Sequence, residues 1–362
     1  MSDTAAELAV FLRAWAESEL RGYCPLYDVL ARRLADDDAM LERYVAAAPR
    51  DRLVGVLLFA AVKYLVSRDA ESPLARIYAG GEGDAWPAFR AVLATRQDEL
   101  VALLETRRIQ TNEVGRAAVL LPALGLVERR LGGPLALVEL GPSAGLNLFL
   151  DRFAYVYDDG RRAGDRDSPV EVRSALRGPL RPPVPAAMPA VASRCGIDLA
   201  PVDVTDDEQC RWLEACLWPG TPGRSERLRA AIALARRTPP RLLAGNVVER
   251  LPGVLAEVPV DRIPCLVSTW MLAYLSEEER GAVRALVDAV GRTRPLAVVT
   301  AEFPGVSPWI GRAPRPAAIE EARMATLVGL AVWRDGTLDA RPLCWTHSHG
   351  QWLDWLDGES AA

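Results

Sequence analysis

A short turn rich in small residues lies where the chain changes character. An apolar run of β-type residues at 134–140 (PLALVEL) is followed by Gly-Pro-Ser-Ala-Gly at 141–145 and then by a helical pattern. Gly141 and Gly145 can adopt positive φ and carry no Cβ, so backbone amides at such a turn can approach a ligand closely. The amino end of the following helix presents free N–H groups to negative charge. The pattern predicts a ligand-binding turn after a buried strand.

The same apolar run contains a charged residue, Glu139, one position before its end. A carboxylate in a strand that is buried on both faces is costly unless a partner compensates it. A ligand cation or a set of backbone amides would be such a partner. The alternative is a plain tight turn in which Glu139 reaches solvent.

Candidates for acid–base chemistry are few. His347 and His349 are the only histidines of the chain, and their spacing places both on one face of a strand. An imidazole titrates near neutral pH and can accept a proton. The alternative is an exposed strand end with no catalytic role. The six cysteines include no Cys-x-x-Cys pair, so the sequence predicts no metal site.

A polar cluster, Gln-Thr-Asn-Glu at 110–113 with Arg116, precedes the helix that leads into the first strand. Asn112, Glu113 and Arg116 would close a ligand pocket from the side of the preceding helices and contact the substrate. An equally simple interpretation is a helix cap at Asn112 with an accompanying ion pair.

The elements that must position these residues form two predicted domains. Through residue 130 the apolar spacing is helical, which predicts an all-helical cap or substrate domain over 1–130. Strand and helix patterns alternate over 131–362 and predict an α/β domain, with 158–195 as an inserted hairpin or loop. Near the carboxyl end, residues 326–345 predict two strands joined by an Asp-Gly hairpin turn.

The second strand of the sheet has two candidate segments. One is 153–157, followed by Asp158; the other is 197–204, with Asp203 near its end. The segment Thr-Asp-Asp-Glu at 205–208 is a capping box, with threonine at the N-cap and glutamate at N3. Because a strand that leads into a capped helix fits the alternating pattern, Asp203 is predicted to end strand two.

Composition and charge narrow the classes of function. The net charge is −5, so the chain lacks the basic field that nucleic-acid binding requires. The longest apolar stretch, 53–66, is shorter than a bilayer span and contains Lys63, which predicts no membrane insertion. The first residues do not form a signal-peptide pattern and the cysteines are scattered, so a reduced, cytoplasmic protein is expected.

The segment from Glu139 to Gly145 (ELGPSAG) resembles motif I of the class I S-adenosylmethionine-dependent methyltransferases, acidic-x-Gly-x-Gly-x-Gly, with Ser143 in place of the middle glycine. Residues 268–280 look like the segment after strand four in small-molecule methyltransferases. The resemblance covers about residues 134–350, and the whole chain looks like a bacterial family of uncharacterised proteins carrying this core. It implies a Rossmann-like, mostly parallel seven-stranded sheet with a C-terminal antiparallel hairpin.

The resemblance also implies S-adenosylmethionine as the cofactor and gives roles to individual residues. Asp203 would accept hydrogen bonds from the ribose hydroxyls, and Asn246 would bond the adenine edge. Thr269 and Trp270 would face the sulfonium or the substrate. The full set expected to bind the cofactor is Glu139, Gly141, Ser143, Gly145, Asn147, Asp203, Asn246, Thr269 and Trp270.

The predicted reaction is methyl transfer to an oxygen, nitrogen or sulfur nucleophile of a small molecule or peptide. His347, His349 and Tyr274 are the candidate catalytic residues. No Asn/Asp-Pro-Pro-Tyr motif follows strand four, so methylation of nucleic-acid bases by that route is not supported. A sulfonium donor carries its own reactivity and requires no metal. No motif specifies the acceptor or the oligomeric state.

Two other interpretations compete. Residues 141–145 also match G-x-S-x-G, the nucleophile elbow of α/β-hydrolases, with Ser143, Asp261 and His347 or His349 in the required chain order. Against it, the preceding 130 residues are helical in pattern and contain no HGGG-type segment. The second alternative is a non-catalytic module, because Ser143 and Asn246 stand where the family has glycine and aspartate.

Overall fold

The computed structural model describes residues 2–45, 54–220, 222–313 and 325–356. The chain divides into two units, Met1–Thr111 with Asp206–Glu226, and Asn112–Thr205 with Arg227–Ala362. The α-helices in chain order are α1 (Asp3–Trp15), α2 (Pro25–Ala35), α3 (Asp38–Val45), α4 (Val54–Val66), α5 (Pro73–Tyr78), α6 (Ala85–Thr95), α7 (Gln97–Thr106), α8 (Ala117–Leu131), α9 (Asp207–Ala215), α10 (Arg224–Arg236), α11 (Val247–Glu257) and α12 (Glu277–Gly291).

The first unit is helical throughout its described residues, as the apolar spacing of the sequence predicts. Its core is aromatic: the ring of Phe59 packs edge-on against Trp15 at 5.3 Å and against Tyr27 at 4.8 Å. Such edge-to-face pairs stabilise a core beyond the apolar area that they bury. Helix α8 belongs to the second unit and leads directly into its first strand.

The second unit is built on one large mixed sheet. Its strands are β1 (Leu135–Leu140), β2 (Ala154–Tyr157), β3 (Arg162–Gly164), β4 (Glu171–Arg177), β5 (Val191–Asp198), β6 (Arg241–Ala244), β7 (Ile263–Thr269), β8 (Leu296–Glu302), β9 (Ala325–Arg334), β10 (Thr337–His347) and β11 (Trp352–Trp355). They lie in the order β3-β2-β4-β11-β10-β9-β8-β7-β1-β5-β6. Strand β1, buried along its full length, occupies the predicted apolar run.

Five neighbouring strands, β8-β7-β1-β5-β6, are parallel to one another. In chain order they are the fifth, fourth, first, second and third of this group, so the direction of the strand order reverses between β1 and β7. In open α/β sheets, ligands bind outside the carboxyl ends of the strands at such a reversal. Leu140 lies opposite Ser268 there, which places the predicted turn beside the end of β7.

Over the described residues the sheet has eleven strands, whereas seven were expected. Segment 158–195, expected to be an inserted hairpin or loop, contributes β3, β4 and the start of β5. Strand β4 pairs in parallel with both β2 and the carboxyl-terminal β11. Strand β4 (EVRSALR) carries polar residues among its apolar ones, so its pattern is not the continuous apolar run of a strand buried on both faces.

The predicted position of strand two is wrong. Strand β5 ends at Asp198, and Asp203 lies five residues beyond it in a turn, where its Oδ1 accepts from Thr205 N at 2.8 Å. The burial of β5 is partial over its first half, so its polar residues hide the strand pattern. Asp158 follows β2, away from the five parallel strands, and its Oδ1 accepts from Leu176 N at 3.0 Å.

The short sequence patterns for helix caps and for a hairpin turn agree with the structure in some cases and not in others. The N-cap of α9 is Asp206, whose side chain accepts from the amides of residues 208 and 209, so the predicted threonine cap at 205 is wrong. The sequence Ser-Glu-Glu-Glu at 276–279 matches the capping-box pattern as well, and this box forms between Ser276 and Glu279 at the start of α12. The predicted hairpin also forms: β9 and β10 are antiparallel around Asp335 (φ 51°) and Gly336 (φ 75°), the positive-φ pair that a type I′ turn requires.

Candidate functional site

The turn after β1 has an unusual backbone. Gly141, Ser143 and Gly145 all have positive φ, at 70°, 54° and 69°. A serine in this region is strained, and such strain is concentrated at functional sites. Backbone bonds fix the conformation: Gly141 N donates to Ile197 O at 2.9 Å, and Gly145 N donates to Pro142 O at 2.9 Å. The sequence therefore places glycine where the backbone requires it.

Neighbouring side chains pack closely on two faces of this turn. A Cβ on Gly141 would lie 2.4 Å from Met271 Cγ. A Cβ on Gly145 would lie 3.0 Å from Pro240 Cγ and 3.1 Å from Leu242 Cδ2. The glycines are thus needed for packing within the protein, and the turn is filled on these faces.

Asp198 occupies the position that the sequence interpretation gave to Asp203. It ends β5 beside the turn, where its Oδ2 accepts from Ser143 N at 2.8 Å and its Oδ1 accepts from Ala200 N at 2.9 Å. Each carboxylate oxygen has more than one acceptor site, so both can still accept from a ligand. The sequence does contain a signal for this residue, because Gly-Ile-Asp at 196–198 ends in an aspartate. The predicted strand at 197–204 includes Asp198 near its start and therefore does not identify it as a strand end.

Glu139 is buried, with 2% of its surface exposed. Burial raises the pKa of its carboxyl to about 8, although a hydrogen bond with Asn147 and the charge of Arg116 oppose that rise; the charge of Asp198 adds to it. Glu139 Oε2, Asn147 Oδ1 and Ser143 Oγ are buried and make no hydrogen bond. Buried polar atoms are normally paired, so three such oxygens around one turn indicate a place for a hydrogen-bond donor.

The polar cluster before α8 folds as a turn against this region. Asn112 Oδ1 accepts from Leu146 N at 3.0 Å, directly after the β1 turn. Glu113 Oε1 accepts from Gly115 N at 2.9 Å and lies 3.8 Å from Arg227 Nη2. Asn112 therefore caps the helical turn after β1. One interpretation of the sequence made it the cap of the helix that follows it directly, but its side chain contacts a residue 34 positions later in the chain.

Arg116 joins three segments through its guanidinium. Its Nε donates to Ser348 O at 2.8 Å, and its Nη1 donates to Thr269 O at 3.0 Å and Thr269 Oγ1 at 3.2 Å. Its Cζ lies 5.7 Å from the ring centre of Trp270. A buried cation thus holds the end of β7 and the histidine-containing turn together, and its charge reaches Glu139.

His347 ends β10 and His349 lies in the turn after it, so the predicted placement of both on one strand face is wrong, although their rings are 5.1 Å apart. His349 N donates to His347 Nδ1 at 3.1 Å, so the neutral His347 ring carries its proton on Nε2. Ser143 Oγ makes no hydrogen bond, so the structure does not join it to either imidazole, and Asp261 is exposed. The serine–histidine pair that a hydrolase needs is not assembled here.

Strand β8 ends in an acid, Glu302, that the sequence interpretation missed. Its Oε1 accepts from Ser268 Oγ at 2.7 Å, Met271 N at 3.1 Å and Leu272 N at 3.0 Å, while its buried Oε2 makes no hydrogen bond. The apolar run at 296–300 (LAVVT) predicts a strand that stops two residues before Glu302, and no local signal marks this acid. These bonds fix the segment after β7, which includes Trp270 (φ 62°).

Asn246 and Tyr274 have simpler environments than predicted for a site. Asn246 is the N-cap of α11: its Oδ1 accepts from Val248 N at 2.7 Å, and its Nδ2 donates to Glu279 Oε1 at 3.2 Å. Both ends of its amide are thus used by the protein. Tyr274 lies in a short 3-10 turn with 82% of its surface exposed.

Within residues 2–45, 54–220, 222–313 and 325–356, no group of three or more His, Cys, Asp or Glu side chains could hold a metal ion. No helix in these ranges is long and apolar enough to cross a bilayer.

The fold and the site define an α/β protein with a large, mostly parallel sheet and a cluster of buried polar groups where its strand order reverses. The chain belongs to the DUF2332 family, described as an uncharacterized protein conserved in bacteria, whose model matches residues 10–355. This confirms the expected membership of an uncharacterised bacterial family. No curated protein matches the chain.

Proposed function

We propose that the second unit is a Rossmann-like methyltransferase core that binds S-adenosylmethionine at the turn after β1. The main observation that supports this proposal is a set of unpaired buried oxygens on Glu139, Ser143 and Asn147. They lie where the strand order reverses. S-adenosylmethionine has an ammonium, a sulfonium and ribose hydroxyls, which supply the donors and positive charge that these acceptors lack. On its Met271 side the turn is filled by protein atoms and has no room for a ligand. The proposal therefore depends on the unpaired oxygens.

In this proposal each residue of the chain has a stated task. Glu139 and Asn147 bind the cationic end of the cofactor, and Asp198 accepts hydrogen bonds from the ribose hydroxyls. When bound, the cofactor supplies an activated methyl group. Arg116 positions Thr269 and the turn carrying His347 and His349, so these groups lie at the edge where an acceptor would enter. The acceptor is a small molecule or peptide nucleophile.

Binding of S-adenosylhomocysteine, measured by isothermal titration calorimetry, tests the proposal. Asp198→Asn keeps one acceptor oxygen for Ser143 N but removes the charge, and at least tenfold weaker binding is expected, or about 1.4 kcal/mol. Asp203→Asn is the matched control and should bind as the wild type does. Absence of binding to the wild-type protein at millimolar ligand would overturn the proposal. Stronger loss in Asp203→Asn would restore the original assignment.

A further inference from the structure

Glu302 has no task in the cofactor site, yet its surroundings are highly organised. Only 1% of its surface is exposed, and three hydrogen bonds to Oε1 hold the carboxylate in one orientation. Its Oε2 is buried without a partner. A buried carboxylate oxygen needs a donor, a cation or a proton to compensate it, and the fixed, unpaired Oε2 is positioned to bind a ligand group.

Two aromatic residues belong to the segments that meet at Glu302: Phe303 is its chain neighbour, and Trp270 directly precedes the amides of Met271 and Leu272 that bond to its Oε1. Phe303 follows Glu302 in the chain and is 38% exposed, and its ring centre is 4.2 Å from that of Trp270. Trp270 is held rigidly, because its N donates to Ala301 O at 3.0 Å and its Nε1 donates to Thr326 Oγ1 at 2.8 Å. A strained tryptophan kept in place by its neighbours is typical of a binding site.

The acidic side chains at this edge favour a cationic ligand, because a bound positive charge stabilises their ionised form. Glu139 and Glu302 are both buried acids, and the charge of Arg116 acts on both. The hydrogen bonds of Arg116 described above go to Ser348 and Thr269, and Glu302 Oε2 makes no bond with it. A carboxylate beside aromatic faces is the combination that recognises an ammonium group, through one charge-assisted hydrogen bond and cation–π attraction.

We propose that Glu302 Oε2, Trp270 and Phe303 form a binding site for a protonated aliphatic amine. The carboxylate accepts an N–H of the ammonium, and the rings face its positive charge.

A second part rests on the proposed function: the bound amine is the methyl acceptor. Glu302 takes one proton from the ammonium, and the freed nitrogen lone pair forms the new N–C bond. The S–C bond of the sulfonium breaks with its electron pair remaining on sulfur. The products are a methylated ammonium, a neutral thioether and a protonated Glu302.

The test uses the full chain labelled with 5-fluorotryptophan, and Trp270→Phe assigns the fluorine signal of that residue. Propylammonium chloride is titrated at constant ionic strength near neutral pH. A saturable shift of the Trp270 signal is expected, while 1-propanol and propionate at equal concentrations leave it in place. An equal shift with 1-propanol would overturn the proposal, because apolar contact alone would then explain binding.

Variants separate charge recognition from simple packing. Glu302→Gln keeps an oxygen acceptor for the Oε1 contacts and removes the charge, so at least tenfold weaker propylammonium binding is expected. Phe303→Leu changes a partly exposed ring, keeps the fold and should weaken binding several-fold. Glu82→Gln, at an exposed position of the other unit, is the matched control and should not alter it. If both Glu302→Gln and Phe303→Leu bind propylammonium with wild-type affinity, the proposed amine site is wrong.

Titration of S-adenosylhomocysteine into the same samples distinguishes the two proposals. If propylammonium binds in a Glu302-dependent way and S-adenosylhomocysteine does not bind, the amine site is supported and the methyl-transfer proposal is overturned. If S-adenosylhomocysteine binds and the Trp270 signal does not respond to propylammonium, the amine site is overturned and the cofactor site is supported.

Discussion

The carboxyl of Glu139 makes the stability of the protein depend on pH in a way that can be calculated. Glu139→Gln preserves the size and hydrogen-bonding shape of the side chain and removes its titration. Burial raises the pKa of Glu139 from 4.5 to about 8. The wild-type and variant proteins should therefore differ most in the pH range between these values.

The sign follows from proton binding. Below pH 4.5 the group is protonated in both the folded and the unfolded chain; between pH 4.5 and about 8 only the folded chain keeps the proton. Unfolding then releases a proton, so the free energy of unfolding falls as pH rises and levels off above about 8. The full difference corresponds to about 5 kcal/mol.

The assay is urea unfolding of the wild type and Glu139→Gln, followed by tryptophan fluorescence from about pH 5 to about pH 9. Other titrating groups cancel in the difference between the two proteins. We expect the wild type to lose several kcal/mol relative to the variant across this range, while Glu82→Gln runs parallel to the wild type. A difference that stays constant with pH would refute the reasoning, because Glu139 would then be ionised in the folded chain.

Three further outcomes follow from the site geometry. Gly141→Ala should cost about 2 kcal/mol more unfolding free energy than Gly132→Ala, because both have positive φ but only residue 141 faces Met271; equal losses in urea would contradict this. Arg116→Lys should cost about 2 kcal/mol, since one ammonium cannot replace bonds to two segments; chemical denaturation measures it. A fluorophosphonate probe should leave Ser143 unlabelled in mass spectrometry, because its hydroxyl has no base; labelling would support a hydrolase.

The sequence was most informative where a local pattern decides the structure. The turn at 141–145 follows a buried strand, the Ser276 capping box forms, and the Asp335 hairpin closes as predicted. Each depends on residues within a few positions, so backbone preferences and side-chain caps suffice to predict it. Glu139 was likewise identified as a carboxylate in a buried strand, which its surroundings explain.

The missed features depend on contacts between distant residues. Asp198 was passed over for Asp203 because the partly covered β5 lacks an apolar pattern. The task of Glu302 is set by amides of the segment after β7, about thirty residues earlier, which no spacing rule brings to it. The additional strands were missed because β11 pairs with β4 from far back in the chain.

The pairing of β4 with β11 has a consequence for how the chain is made. Ala175 N donates to Gln351 O at 2.8 Å, and Leu176 lies opposite Leu353. A ribosome releases β4 long before β11, so β4 must wait with one edge unpaired until β11 has been synthesised. A chain that stops before β11 would therefore keep a free strand edge on β4, which chaperones and proteases recognise.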